Sequence, residues 1–228
     1  PTLKIQQKIV GILDTFSELT AELTAELTAR KKQYEYYREQ LLTFEEDEVE
    51  WKTLGEVATI GTGSRNTNEA INNGQFPFYV RSQTPLRINE YEFDETAIIT
   101  AGDGVGVGKV FHYVKGKYGL HQRAYRIVPN NQQILNSKFL YYFFVDSFYQ
   151  YVIKTSVHSS VTSLRKPMFE NFPIPIPSLE EQARIVSILD KFDTLTSSIS
   201  EGLPREIELR EKQYEYYRDL LLSFPKDK

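Results

Sequence analysis

Four short stretches of this chain carry side chains that bind anions and read hydrogen-bonding edges. They are Ser64-Arg65-Asn66-Thr67-Asn68, Arg81-Ser82-Gln83-Thr84, His121-Gln122-Arg123 and His158-Ser159-Ser160-Val161-Thr162-Ser163-Leu164-Arg165-Lys166. Arg and Lys neutralise phosphate, whereas Arg, Gln and Asn can make paired hydrogen bonds to base edges in a nucleic-acid groove. Hydroxyls and backbone N–H groups of the last stretch suit phosphate oxygens. The candidate contact residues are Arg65, Asn66, Arg81, Ser82, Gln83, Lys109, Gln122, Arg123, Ser159, Ser160, Thr162, Ser163, Arg165 and Lys166. An ordinary solvated loop is the alternative reading of each stretch.

Other chemistries fit less well. Gly102-Asp103-Gly104-Val105-Gly106-Val107-Gly108-Lys109 is glycine-rich and ends in lysine. A phosphate loop G-x-x-x-x-G-K-[ST] would need Gly at 103 and Ser or Thr at 110, where Asp and Val stand. A turn between strands is expected there instead. The three histidines, His112, His121 and His158, lack a metal-ligand spacing, and cysteine is absent, which excludes disulfides and Cys-based zinc sites. Asp94-Glu95 and Asp103 are the carboxylates a nuclease would draw on to hold metal, with scattered surface acids as the alternative.

Around these stretches lies a duplication. KQYEYYR occurs at Lys32–Arg38 and again at Lys212–Arg218, and LKIQQKIVGILDTF (Leu3–Phe16) matches LEEQARIVSILDKF (Leu179–Phe192). In the first copy Ile9, Leu13, Phe16, Leu19 or Thr20, Leu23, Leu27, Arg30, Tyr34, Tyr37 and Leu41 step by threes and fours, the mark of a helical seam. The second copy repeats it with Ile185, Leu189, Phe192, Leu195, Ile199, Tyr214, Tyr217 and Leu221. Its second half is displaced by four further residues near Ser200–Pro204, where Gly202 and Pro204 should break or kink the helix. The first copy carries TAEL units instead, Thr20–Leu23 and Thr24–Leu27. Each is about one turn, ~6 Å of helix. Two arrangements satisfy such seams: a dimerising coiled coil, or an antiparallel pair formed within one chain with the middle domain at its tip. Tyr36 and Tyr216, off the seam, are candidates for partner contact.

The middle is different in kind. Phe76–Arg81, Ala97–Thr100, Lys109–Val114 and Arg123–Val128 read as short strands. Ser137–Tyr151 reads as a helix with Ser137 as N-cap and its aromatics in the core, and Phe172–Pro177 reads as an extended exit. Residues 52–176 hold 13 Lys/Arg and 9 Asp/Glu, a balance of +4, while the rest of the chain balances to −8. The overall −4 therefore hides a basic middle between acidic ends. The sequence has no apolar run long enough for a membrane span and opens on no secretory signal. The lack of cysteine fits a cytoplasmic location. Residue 1 is proline, and Pro1-Thr2-Leu3 matches Pro177-Ser178-Leu179, so a processed chain, or a piece of a longer one with another middle-type domain ahead of it, is expected.

Together these residues resemble the specificity subunit of type I restriction-modification systems. Trp51–Val57 with Gly61–Ser64 is similar to the opening of its target-recognition domain. Gly102–Lys109 and His121–Arg123 are similar to its mid-domain strands, and Thr162–Leu164 with Phe172–Gln182 to its closing signature. The TAEL run is similar to the spacer of its central helix. The resemblance covers the whole chain and implies one recognition domain with two helices, as in the C-terminal half of a full subunit or a half-size one.

The implied fold class is α+β: one recognition domain of short strands and helices, flanked by two long helices paired as an antiparallel coiled coil. Expected bounds are 1–46 for the first spacer helix, 47–176 for the recognition domain and 177–228 for the second spacer helix. The implied role is to read one half of a bipartite double-stranded DNA target without catalysis and with no cofactor on this chain. S-adenosylmethionine and adenine-N6 methylation would belong to the modification subunits docked on the helices. A restriction subunit joins them, and a second copy of the chain or another half supplies the second recognition domain. The alternative is a coiled-coil scaffold or adaptor whose middle domain binds protein or carbohydrate.

Overall fold

The structure, a computed structural model, describes residues 1–155, 163–198 and 200–224. They divide into two compact units, Leu41–Val186, and Pro1–Gln40 with Ser187–Lys228.

In the first of these units the chain enters on β1 (Glu50–Thr53) and leaves on β8 (Pro173–Ile176), which pair antiparallel in register Trp51↔Pro175. The extended exit expected from its prolines is thus a strand. Alternate prolines leave enough donors for a two-stranded ladder at an edge. The two ends of the domain consequently lie side by side.

Between them stands a six-stranded mixed sheet made of β2 (Ala58–Thr62), β3 (Phe76–Tyr79), β4 (Leu86–Ile88), β5 (Phe93–Ala101), β6 (Phe111–Leu120) and β7 (Ala124–Pro129). Its order is β2-β7-β5-β6-β3-β4, antiparallel throughout except where β3 runs parallel to β6. The central strand β5 is buried continuously from Ala97 to Ala101, as expected of an apolar run covered on both faces. All four strands read from the sequence are present, although β5 and β6 run longer than expected, while β1, β2 and β4 gave too little alternation to be read.

Two short helices, α2 (Leu54–Val57) and α4 (Lys166–Glu170), pack together, and the long α3 (Ser137–Thr155) covers the sheet. Phe139, Leu140, Phe143, Phe144, Phe148 and Val152 on α3 are buried, as their helical spacing predicts. Of these, Phe144 and Phe148 stack on Phe169 (6.2 and 4.8 Å) and meet Phe172 edge-on (5.8 and 5.2 Å). The N-cap of α3 is Asn136 rather than Ser137. Asn136 Oδ1 accepts from the N–H groups of Lys138 (2.8 Å) and Phe139 (3.2 Å), while Ser137 is buried with its Oγ 2.9 Å from the Tyr113 hydroxyl.

The second unit is helical. It contains α1 (Leu3–Leu42) up to Gln40, α5 (Leu179–Ser197) from Ser187, and α6 (Gly202–Leu222). Phe16 stacks on Tyr217 (5.3 Å), and Phe192 stacks on Tyr34 and Tyr37 (5.7 Å each). As the number falls along one partner it rises along the other, so the helices pair antiparallel within the chain. The contacts are also reciprocal. Phe16 and Phe192 are equivalent positions of the repeat, as are Tyr37 and Tyr217. Half-buried positions 13, 16, 20, 23, 27, 30 and 34 of α1 trace the expected seam. Thr20 takes the place left open between it and Leu19, which is 39% exposed. A four-residue repeat advances 400°, so successive leucines drift by about 40° and the seam passes to the neighbouring column.

The break between α5 and α6 falls where Gly202 and Pro204 predict it. Gly202 has φ +75°, and Pro204 sits in the first turn of α6, where its missing N–H has no helical partner to lose.

Candidate functional site: a cluster of polar loops

Three of the four polar stretches converge, and the end of the fourth joins them. The loop after β2 runs beside the turn before β7: Arg65 bridges His121, the Gln122 N–H donates to the Arg65 carbonyl (2.9 Å), and Gln122 Nε2 donates to Asn66 Oδ1 (2.6 Å). Glu92 fixes this loop by accepting from the Ser64 N–H (2.9 Å), the Ser64 hydroxyl (2.6 Å) and the Leu120 N–H (2.9 Å). The His121 N–H donates to the Tyr79 carbonyl (2.9 Å), which sets the loop after β3 alongside.

There Arg81 pairs with Asp103 (Nη1–Oδ1 2.6 Å), and Arg123 pairs with the other oxygen of the same carboxylate (Nη1–Oδ2 3.2 Å). Asp103 also bridges Ser163 through the backbone, and the Leu164 N–H donates to the Gly102 carbonyl (2.7 Å). Asp103 therefore stands on the divide between two hollows of about 490 and 170 Å³. The first is lined by Arg81, Ser82 and Val105 among others, and the second by Gln122, Arg123, Tyr125 and Ser163.

The candidates differ in how free they are. Gln83, Gln122, Arg123, Ser163, Arg165 and Lys109 are exposed. Ser82 is exposed too, although its hydroxyl donates to the Thr84 carbonyl (2.7 Å). Lys166 pairs with Glu170 at 3.3 Å on the surface. Arg65 is held between Glu69 and Glu90, 2.9 Å from each, which gives it an anchoring position. Ser159, Ser160 and Thr162, with His158, lie outside the described residues. His121 is buried at the centre of the face, and its Nδ1 accepts from the Arg123 N–H (3.0 Å). Burial, then the charges of Arg81 and Arg123, hold its pKa below the ordinary value, so the ring is neutral at pH 7.

The glycine-rich stretch is a turn, as expected: a single 3-10 turn (Gly104–Gly106) joins β5 to β6. Among the described residues no group of three or more His, Asp or Glu side chains could hold a metal. Asp94 is the second residue of β5 and Asp103 lies past its end, with ~23 Å of extended strand between Asp94 and Ala101. Glu95 is engaged by Arg126 (2.8 Å) and the Tyr118 hydroxyl (2.7 Å). The residue that sequence reasoning undervalued is Asp103. Its signal, an acid flanked by glycines in a basic domain, reads equally as a loop acid until two distant arginines meet it.

The profile of the type I restriction modification DNA specificity domain matches residues 46–209. The chain belongs to this family. A specificity-domain relative from Escherichia coli, the type I restriction enzyme EcoR124I/EcoR124II specificity subunit, is 43% identical over 99% of this chain and 61% of its own length. A protein of Mycoplasma pneumoniae named as a type I specificity subunit is 33% identical, covering 98% of this chain and 91% of that protein. The crystal structure of a type I restriction-modification S subunit from M. genitalium shares the fold. Its TM-score is 0.64 at 17% identity, over 100% of this chain and 62% of that one. This specificity-domain chain thus spans about six tenths of its E. coli relative. No helix among its described residues is long and apolar enough to cross a membrane.

Proposed function

We propose that this chain is a sequence-specific DNA-binding specificity subunit of a type I restriction-modification complex, non-catalytic itself, which reads one half of a bipartite duplex target. The observation that carries this reading is the convergence of Asn66, Arg81, Gln122, Arg123 and Ser163 through contacts between loops that are distant in sequence, in a domain of this family. Arg, Gln and Asn supply the donor and acceptor pairs that major-groove edges demand. Lys109, Arg165 and Lys166 supply phosphate contacts around them.

In this reading residues 47–176 form the recognition domain, and 1–46 with 177–228 form the spacer helices. Tyr36 (59% exposed) and Tyr216 (64% exposed) occupy equivalent places on the two repeats, each edge-on to its neighbour Tyr37 or Tyr217. Two equal aromatic handles suit two equal modification subunits. Those subunits hold S-adenosylmethionine, and a restriction subunit joins the assembly in the cytoplasm. A second copy of this chain, or another recognition half, reads the other half-site.

The test is methylome sequencing of cells that carry the chain with its modification partners, alongside footprinting of the assembled complex. A bipartite methylated motif that the complex protects is expected. Absence of any protected duplex site, with binding to a protein or glycan instead, would establish the scaffold reading.

A further inference from the structure

We propose that Asp103 is a positioning residue for sequence reading, its carboxylate aiming the Arg81 and Arg123 guanidinium groups so that they act as one unit. The inference rests on the DNA-reading function above. A negative charge at the centre of a face meant for a polyanion weakens binding, so its presence there requires a reason. Stability does not supply one. The Arg81 side chain is 40% and that of Arg123 60% exposed, and ion pairs this exposed add little to stability because solvent screens them.

Geometry does. Each arginine spends one nitrogen on Asp103, at 2.6 and 3.2 Å, and a guanidinium has five N–H donors, so its other edge remains to pair with a base. A fork locked before binding loses less side-chain entropy on contact, and it rejects a base that offers the wrong edge.

The backbone holds Asp103 as firmly as Asp103 holds the arginines. A Cβ on Gly102 would lie 2.8 Å from the Arg123 carbonyl oxygen, and one on Gly106 would lie 2.5 Å from that of Arg81. Glycine at both places lets the loop press against the two segments that carry the arginines, the loop after β3 and the turn before β7. The Gly102 N–H donates to the Arg123 carbonyl at 2.8 Å. Asp103 is thereby fixed between its two partners at backbone level, as a loop acid meant only for solvation would not be.

The experiment selects a random-sequence duplex DNA library with the full chain assembled with its modification subunits. It compares the wild type with Asp103→Asn, Arg81→Lys and Arg123→Lys. The wild type is expected to enrich a motif. Asp103→Asn should lose at least about tenfold in preference for one or two positions of that motif, and the lysine variants should blur the same positions. Binding of unselected DNA at low salt should strengthen in Asp103→Asn, because one negative charge has gone. Thermal unfolding of each variant separates misfolding from misreading, since a merely structural role would weaken all DNA alike together with the midpoint. Retained discrimination in a folded Asp103→Asn, or erosion at positions unlike those of the lysine variants, would overturn the role of Asp103 alone. Failure of the wild type to enrich any motif would overturn the DNA reading and this inference with it.

Discussion

His121 is buried between the loops that carry Arg81 and Arg123, and His112 is half-buried with its Nε2 3.2 Å from the Ser82 carbonyl. Burial depresses both pKa values; at His121 the Arg81 and Arg123 charges add to the effect and the Asp103 carboxylate opposes it, and at His112 the Ser82 bond opposes it. The unfolded chain takes up protons near the ordinary value of 6.5, whereas the folded protein resists until lower pH. Stability from these two rings is therefore complete above about pH 6.5 and is lost as pH falls through the folded pKa values. The thermal midpoint should be flat from pH 8 to 7 and decline below 6.5, with the decline reduced in the His112→Gln/His121→Gln variant. Arg65 makes a different prediction. Because Glu69 and Glu90 hold it, Arg65→Ala should lower unfolding free energy by about 1–2 kcal/mol in urea titrations.

At the scale of elements, the reciprocal stacks decide how the helices pair. Phe192 meets two tyrosines and Phe16 meets one, so Phe192→Ala should destabilise more than Phe16→Ala, by about 2–4 kcal/mol against about 1–3. Calorimetry of the two variants would read the difference. At Gly202 a Cβ would stand 2.4 Å from the Thr194 carbonyl oxygen in a backbone at φ +75°, which an alanine cannot relieve without moving the turn between α5 and α6. The TAEL units repeat their local bonding as well as their sequence: the hydroxyls of Thr20, Thr24 and Thr28 each donate to the carbonyl one turn back, at 2.8 to 2.9 Å. Deleting Thr24–Leu27 removes one self-contained turn, ~6 Å. In the proposed function the gap between half-sites should then shorten by one to two base pairs while both halves keep their bases, as methylome sequencing would show. The seam, the Gly/Pro break and the aromatic face of α3 were all legible as spacing. Strand β4, three residues long, and the parallel pairing of β3 with β6 were not, because a three-residue run carries no period and a ladder partner is set by distant chain.

At the scale of the whole molecule, charge is the property that a partner meets first. If Arg81, Lys109, Arg123, Arg165 and Lys166 face phosphate or groove, the logarithm of the binding constant should fall with the logarithm of salt at a slope of about −3 to −5. Lys109→Ala should reduce that slope by about one and weaken all sequences equally, unlike the arginine pair. Titrations on the assembled complex at several salt concentrations check both. The linear sequence by itself determined the duplication, the two seams, the basic middle and the residue types able to read an edge, because these follow from periodicity and composition. Only the tertiary structure decided which of those residues share a face. Arg81 and Arg123 meet at Asp103 because β3 and β7 lie on either side of the β5–β6 hairpin, in an order that no local pattern encodes. The same folding holds Arg65 between two carboxylates, Glu69 from the short 3-10 turn Thr67–Glu69 beside it and Glu90 from a loop 25 residues away.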